Sequence, residues 1–131
     1  MRTYLDSGVL LTAWLGRSPR SAAAKAIIED EAREFVSSDA VRLELLPKAT
    51  FEKRRLELEF YREHFNATVA IERFSEELGN AAMALATKYG LAAMDAVHLA
   101  SAIRQEASEF ITSELPGKPM FRVQGIKITS L

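Results

Sequence analysis

The chain contains no cysteine. Disulfides and thiolate ligands are therefore excluded, and with them zinc-ribbon, iron–sulfur and cysteine-nucleophile chemistry. Any metal must be held by oxygen or histidine, and histidine is scarce: His64 and His98 are the only two, without zinc-binding spacing. No apolar run approaches the roughly 20 residues of a membrane-spanning helix. The opening MRTYLDSGVLL meets an acid at Asp6 and carries no small-residue cleavage site, so a soluble cytoplasmic protein with no membrane association is expected. A strong charge of either sign is absent too. Seventeen basic residues face 18 acidic ones, a net charge of −1, so bulk electrostatics would not hold a polyanion. That objection weakens if the acids gather in a pocket where divalent cations reverse the local sign. A glycine-rich phosphate loop is also missing. The DSG at residues 6–8 lacks the second aspartate of aspartyl-phosphate phosphatases, and a receiver domain finds no matching acid and lysine.

What is present is an ordinary globular composition, 48% hydrophobic over 131 residues, enough for one domain spanning 1–131 and too little for two. Arg2 to Leu5 reads as a short strand ending at Asp6, followed by a helix over SGVLLTAWL. Ser18 and Pro19 open a second helix to about Ala32. Phe35 and Val36 mark a second strand, and Ser37, Ser38 and Asp39 offer caps for a helix carrying AVRLELL. Pro47 is expected to perturb or end that helix. The following TFEKRRLELEFYREHF is strongly helical, with Phe51, Leu58 and Phe65 spaced for one apolar stripe. Residues 67–71 read as a third strand, SEELGNAAMALATKYG as a helix stopped by Gly90, and Ala92 to Glu106 as another. Phe110 to Thr112 is a buried strand, ELPGKP a loop, and residues 121–129 hold one or two short β segments. Strands alternating with helices predict an α/β fold with a parallel sheet covered on both faces, and ligands beyond the carboxyl ends of its strands.

Four aspartates occur, and two of them, Asp6 in TYLDSGVLL and Asp95 in AAMDAVHLA, sit in strongly apolar surroundings. Desolvating a carboxylate costs several kcal/mol unless donors or a cation replace its water. Asp6 reads equally as a helix cap or as a site residue. Asp95 is harder to assign to a cap, because the apolar face around it starts earlier. Glu44 in AVRLELLPK lies among leucines, though a glutamate there usually points to solvent. Glu114 follows FIT at a strand end, where Thr112 or Ser113 would orient it. As a set, these acids would converge at one sheet edge, repel one another and call for a hard cation such as Mg2+ or Mn2+, the arrangement that phosphodiester hydrolysis uses. The remaining acids fall in charged helical stretches and read as solvated faces.

YLDSGVLL, LELLPKA, GLAAMDAVHLASA and FITSE, in this order and spacing, resemble the motifs of PIN-domain ribonucleases, particularly the VapC-type toxins of toxin–antitoxin pairs. The resemblance implies a three-layer α/β/α sandwich around a mainly parallel sheet, an Mg2+ or Mn2+ cofactor, RNA as substrate, a homodimer and a small antitoxin partner. It implies a catalytic, metal-holding set of Asp6, Glu44, Asp95 and Glu114, with Ser7 and Thr112 positioning ligands or water. Glu114 stands where aspartate is commoner, which implies a weaker second metal site.

Arg42 and Lys48 flank Glu44 and are candidates for substrate or antitoxin contact. His98, one turn after Asp95, reads more readily as a packed histidine than as ligand or base, and His64 as a surface residue. Lys48, Lys53, Arg54 and Arg55 read first as a solvated face paired with Glu52, Glu57 and Glu59. Trp14, Phe51, Phe60 and Phe65 read as core or partner contacts. The rival from another class is a non-catalytic, dimeric interaction module of the same fold, which metal binding would distinguish.

Overall fold

The computed structural model describes residues 1–131. Its centre is a sheet of five strands, β1 (Arg2–Leu5), β2 (Glu34–Ser38), β3 (Ala70–Glu72), β4 (Glu109–Thr112) and β5 (Lys127–Ser130). They lie in the order β3-β2-β1-β4-β5, and every neighbouring pair is parallel. The expectation of a mainly parallel sheet is met by one that is wholly parallel. Six α-helices connect the strands: α1 (Ser7–Leu15), α2 (Pro19–Ile28), α3 (Asp39–Phe51), α4 (Arg55–Ala67), α5 (Glu76–Tyr89) and α6 (Ala93–Arg104).

Parallel strands need crossovers, and crossovers of right-handed twist fix the layers. The steps from β1 to β2 and from β2 to β3 go the same way across the sheet, which puts α1 to α4 on one face. The return from β3 to β4 passes over β2 and β1, which puts α5 and α6 on the other. The packing agrees: α1 lies against α2, α3 and α4, and α5 against α6. Strands covered on both faces must be apolar throughout. Tyr4 and Leu5 of β1 and Phe110 and Ile111 of β4 are accordingly almost solvent-free, with the Tyr4 and Phe110 rings stacked at 5.3 Å.

Helix ends follow the local chemistry. Ser18, Ser38 and Ser75 each accept a backbone N–H as the N-caps of α2, α3 and α5, and Gly90 closes α5 in the left-handed conformation. Four boundaries depart from the sequence reading. Helix α2 stops at Ile28 instead of near Ala32. Pro47 neither ends nor interrupts α3. Val41, Leu45 and Ala49, on one face either side of it, are buried, and that packing holds the helix together. The carbonyl that loses its partner belongs to Leu43, which is 58% exposed and open to water. The continuous stripe of Phe51, Leu58 and Phe65 is broken at Lys53, whose φ of 57° turns the chain between α3 and α4 and leaves Phe51 87% exposed. Ala67 completes α4, so β3 starts only at Ala70.

His64 is a further correction. It is buried among Phe35 and Phe65 in the α4–sheet interface, not on the surface, and its Nε2 has no hydrogen-bond partner. Burial drives its pKa down to about 4. The basic run near the α3–α4 turn is paired much as expected, Arg54 with Glu52 and Glu57 and Arg55 with Glu59. No helix is long and apolar enough to cross a membrane.

Candidate active site

The strand order reverses at β1: the chain proceeds from β1 to β2 on one side, and later returns to lay β4 on the other. A crevice opens at such a point beyond the carboxyl ends of the strands. Asp6 follows β1 there, and Glu114 lies two residues beyond the end of β4. Helix α3 leaves the carboxyl end of β2, which brings Glu44 to the same edge. Helix α6 runs back into β4, so its first turn, with Asp95, begins at that edge as well.

Asp6 is the cap that the sequence allowed, and it stands at the candidate site. As the N-cap of α1 it accepts the Val9 N–H through Oδ1 (3.2 Å), while Oδ2 accepts a short bond of 2.5 Å from Thr112 Oγ1. Burial pushes its carboxyl above the ordinary range, against the pull of Thr112, His98 and Val9. Thr112 Oγ1 also accepts the Glu114 N–H at 3.0 Å, so one hydroxyl ties the end of β4 to both acids. Gly8 allows this approach: a Cβ there would collide with Ser113 Oγ.

Glu44 is held differently. Its Oε1 accepts from Ser7 Oγ at 2.8 Å and lies 2.5 Å from His98 Nε2, and these bonds, His98 first, hold its pKa below the usual carboxylate value. The ionised carboxylate only accepts, so Nε2 carries the proton. On the other side of the ring, Tyr4 Oη stands 2.8 Å from His98 Nδ1 and 2.6 Å from Ser38 Oγ. With His98 neutral, Tyr4 donates to Nδ1, and the buried run Ser38–Tyr4–His98 ends on Glu44.

Asp95 lies in the first turn of α6, where the helix dipole favours a negative charge. Burial and then the charge of Glu114 nevertheless raise its pKa, and Glu44 adds to the rise, while His98 and Lys118 oppose it. Lys118 Nζ is 3.9 Å from Glu114 Oε2. The four acids thus arrive at one edge, where Asp95 feels the charges of Glu114 and Glu44, although no three Asp, Glu or His side chains stand in ready-made metal-ligand geometry. Their oxygens are turned to Thr112, Ser7, His98 and Lys118. The donor set is all hard oxygen, and the burial that raises Asp6 and Asp95 is what a divalent cation relieves; the residues fit Mg2+ or Mn2+.

Residues 3–114 match the family model described as PIN domain. This chain belongs to the PIN-domain family. PIN domains are generally nucleases that hydrolyse phosphodiester bonds. Two solved structures resemble this PIN domain in fold. VapBC2 from Rickettsia felis, bound to a DNA fragment from its promoter, superposes with a TM-score of 0.73 at 14% identity, covering 100% of this chain and 99% of that one. A toxin–antitoxin complex from Klebsiella pneumoniae gives a TM-score of 0.63 at 22% identity, covering 86% of each chain. No functionally curated protein matches the sequence. The three-layer α/β/α architecture anticipated from the motifs is the architecture observed.

The PIN domain places the other candidates as follows. Ser7 and Thr112 touch Glu44 and Asp6 respectively. Lys48, one turn after Glu44, is exposed on the same side of α3. Arg42 sits about 200° round the helix from Glu44, pairs with Asp39 and lines a different cavity. His98 has a fully satisfied ring, as a packed histidine should, yet one of its partners is a candidate metal ligand. The sequence reading did not connect Tyr4 or Lys118 with the site. The available signals were the period-two spacing of Tyr4, on β1, and Asp6, just after it, and the i,i+4 spacing of Glu114 and Lys118.

Proposed function

We propose that this PIN domain, acting as one unit over residues 1–131, is an Mg2+- or Mn2+-dependent endoribonuclease and the toxin of a toxin–antitoxin pair. The observation that carries the reading is the meeting of Asp6, Glu44, Asp95 and Glu114 at the switch point of the sheet, with Asp6 and Asp95 raised by burial. These four residues would hold the cation. When bound, it lowers the pKa of an attacking water and offsets charge on the phosphate and leaving oxygen. Thr112 orients Asp6, Ser7 and His98 orient Glu44, and Lys118 balances the charge of Glu114 at the rim. The family membership supports nuclease chemistry. The likeness of fold to the two complexes supports a small antitoxin as partner, and a cytoplasmic homodimer completes the proposal.

The test is cleavage of a structured RNA pool by the purified protein with Mg2+, with Mn2+ and with EDTA, alongside folded Asp6→Asn and Asp95→Asn variants. Cutting that needs metal and disappears in both variants is expected. Cutting that persists in EDTA or in both variants would reject the acidic pocket as its source. Failure of the wild-type protein to bind either metal would favour the interaction-module alternative.

A further inference from the structure

A cavity of about 360 Å³ lies between α3, α4 and the edge strand β3, lined by Arg42, Arg62, Arg73 and Asn66 over Phe65 and Ile71. Two of the three guanidinium groups there share a single carboxylate. Asp39 Oδ1 is 3.2 Å from Arg42 and 3.5 Å from Arg73, while Oδ2 accepts the Phe74 N–H at 3.1 Å. Arg62 has no ion pair or hydrogen bond with any side chain. In a chain with a net charge of −1, this is a local excess of positive charge, and Asp39 holds two of its members in place without neutralising all three.

The position of the cavity gives the charge a purpose. The carboxyl ends of the strands form a rim along the order β3-β2-β1-β4-β5. Arg73 follows β3, Asp39 and Arg42 follow β2, Asp6 follows β1, and Glu114 lies beyond β4. With strands about 4.8 Å apart, Arg73 lies two spacings, roughly 10 Å, along the rim from Asp6. A single strand whose scissile phosphate lies at the acids would therefore bring neighbouring phosphates to Arg73, and to Arg42 of α3 and Arg62 of α4 where they line the same cavity. Guanidinium, planar and permanently charged, suits phosphate oxygens in pairs.

Building on the ribonuclease reading, we propose that the Arg42–Arg62–Arg73 cleft binds backbone phosphates of the RNA strand on the β3 side of the scissile bond. These contacts are independent of base sequence: they set affinity and direction of threading, not specificity.

The experiment uses the full-length protein carrying Asp95→Asn, to prevent cutting, and a fluorescein-labelled mixed-sequence single-stranded RNA of about 20 nucleotides, long enough to cross the rim. Affinity is measured over a range of KCl with Arg62→Ala, Arg73→Ala and the pair. Weaker binding at every salt concentration is expected, with the slope of log K against log salt falling by about 0.7 for each arginine lost. Arg62→Lys should restore the slope. In parallel, wild-type protein with Mn2+ is tested on bis(p-nitrophenyl) phosphate, too small to reach the cleft. If it hydrolyses this diester while the arginine variants bind RNA as before, the cleft proposal is overturned and the nuclease reading stands. If wild-type protein cuts neither the diester nor RNA, the nuclease reading fails and takes the cleft proposal with it. Variants that keep RNA binding but lose binding of a poly-glutamate peptide would assign the cleft to an acidic protein segment, and would equally overturn the proposal.

Discussion

His98 Nε2 stands 2.5 Å from Glu44 Oε1, and the two residues come from helices on opposite faces of the sheet. The bond closes the top of the domain over β1 and fixes the orientation of a carboxylate whose side chain is still 37% exposed. Left alone, a glutamate so placed would sample several rotamers. The imidazole, itself fixed by Tyr4, removes that freedom.

His98→Asn is expected to weaken Mn2+ binding and metal-dependent cleavage by roughly 10- to 100-fold, the usual cost of losing a group that orients a metal ligand. Its amide lies near the position of Nδ1 and falls short of Glu44. His98→Gln puts a donor near the position of Nε2 and should recover much of the loss. Titration of Mn2+ followed by electron paramagnetic resonance checks both; equal affinity in the two variants would sink the idea.

Asp95 is the acid that suffers most from its neighbours, since the charges of Glu114 and Glu44 add to its burial. Asp95→Asn should therefore unfold at a higher temperature than wild type in EDTA at pH 7, while losing cleavage. Mg2+ should raise the melting temperature of wild type and leave the variant nearly unmoved. A variant that melts lower than wild type in EDTA would show that the first-turn charge favours folding.

His64 is neutral in the folded protein, with its pKa lowered to about 4 by burial against an ordinary 6.5. Above pH 6.5 both folded and unfolded forms are neutral, and the residue contributes no pH dependence. As pH falls from 6.5 towards 4, only the unfolded chain takes up the proton, so stability is lost over that window, by about 3 kcal/mol at its end. Denaturation midpoints at pH 7, 5.5 and 4.5 should show this fall in wild type and a shallower one in His64→Leu.

Pro47→Ala should stabilise the fold, by roughly 1 to 3 kcal/mol, because α3 already runs through this position and alanine restores the missing hydrogen bond to Leu43. Urea denaturation measures it. An unchanged or lower midpoint would mean that the ring's restriction of the unfolded chain outweighs the lost bond.

Much of the fold was legible because it rests on local signals. The apolar run before Asp6, the serines that cap α2, α3 and α5, and Gly90 at the end of α5 each act through neighbours in sequence. The misread positions are those where packing overrode propensity. Pro47 stays helical because Val41, Leu45 and Ala49 are anchored on either side of it. His64 is internal although it lies within a highly charged helix.

By itself the sequence determined the alternation of strands and helices, the absence of thiol chemistry, and the order in which four acids follow the strands or enter the helices. These follow from residue type and spacing, which act over a turn or two of chain. Only the tertiary structure decided that His98 reaches Glu44 through a ring held by Tyr4, that Arg42 turns away from Glu44 to join Arg62 and Arg73, and that Glu114 burdens Asp95. Those relations join residues far apart in the chain, and strand order together with crossover hand, not local spacing, sets which of them meet.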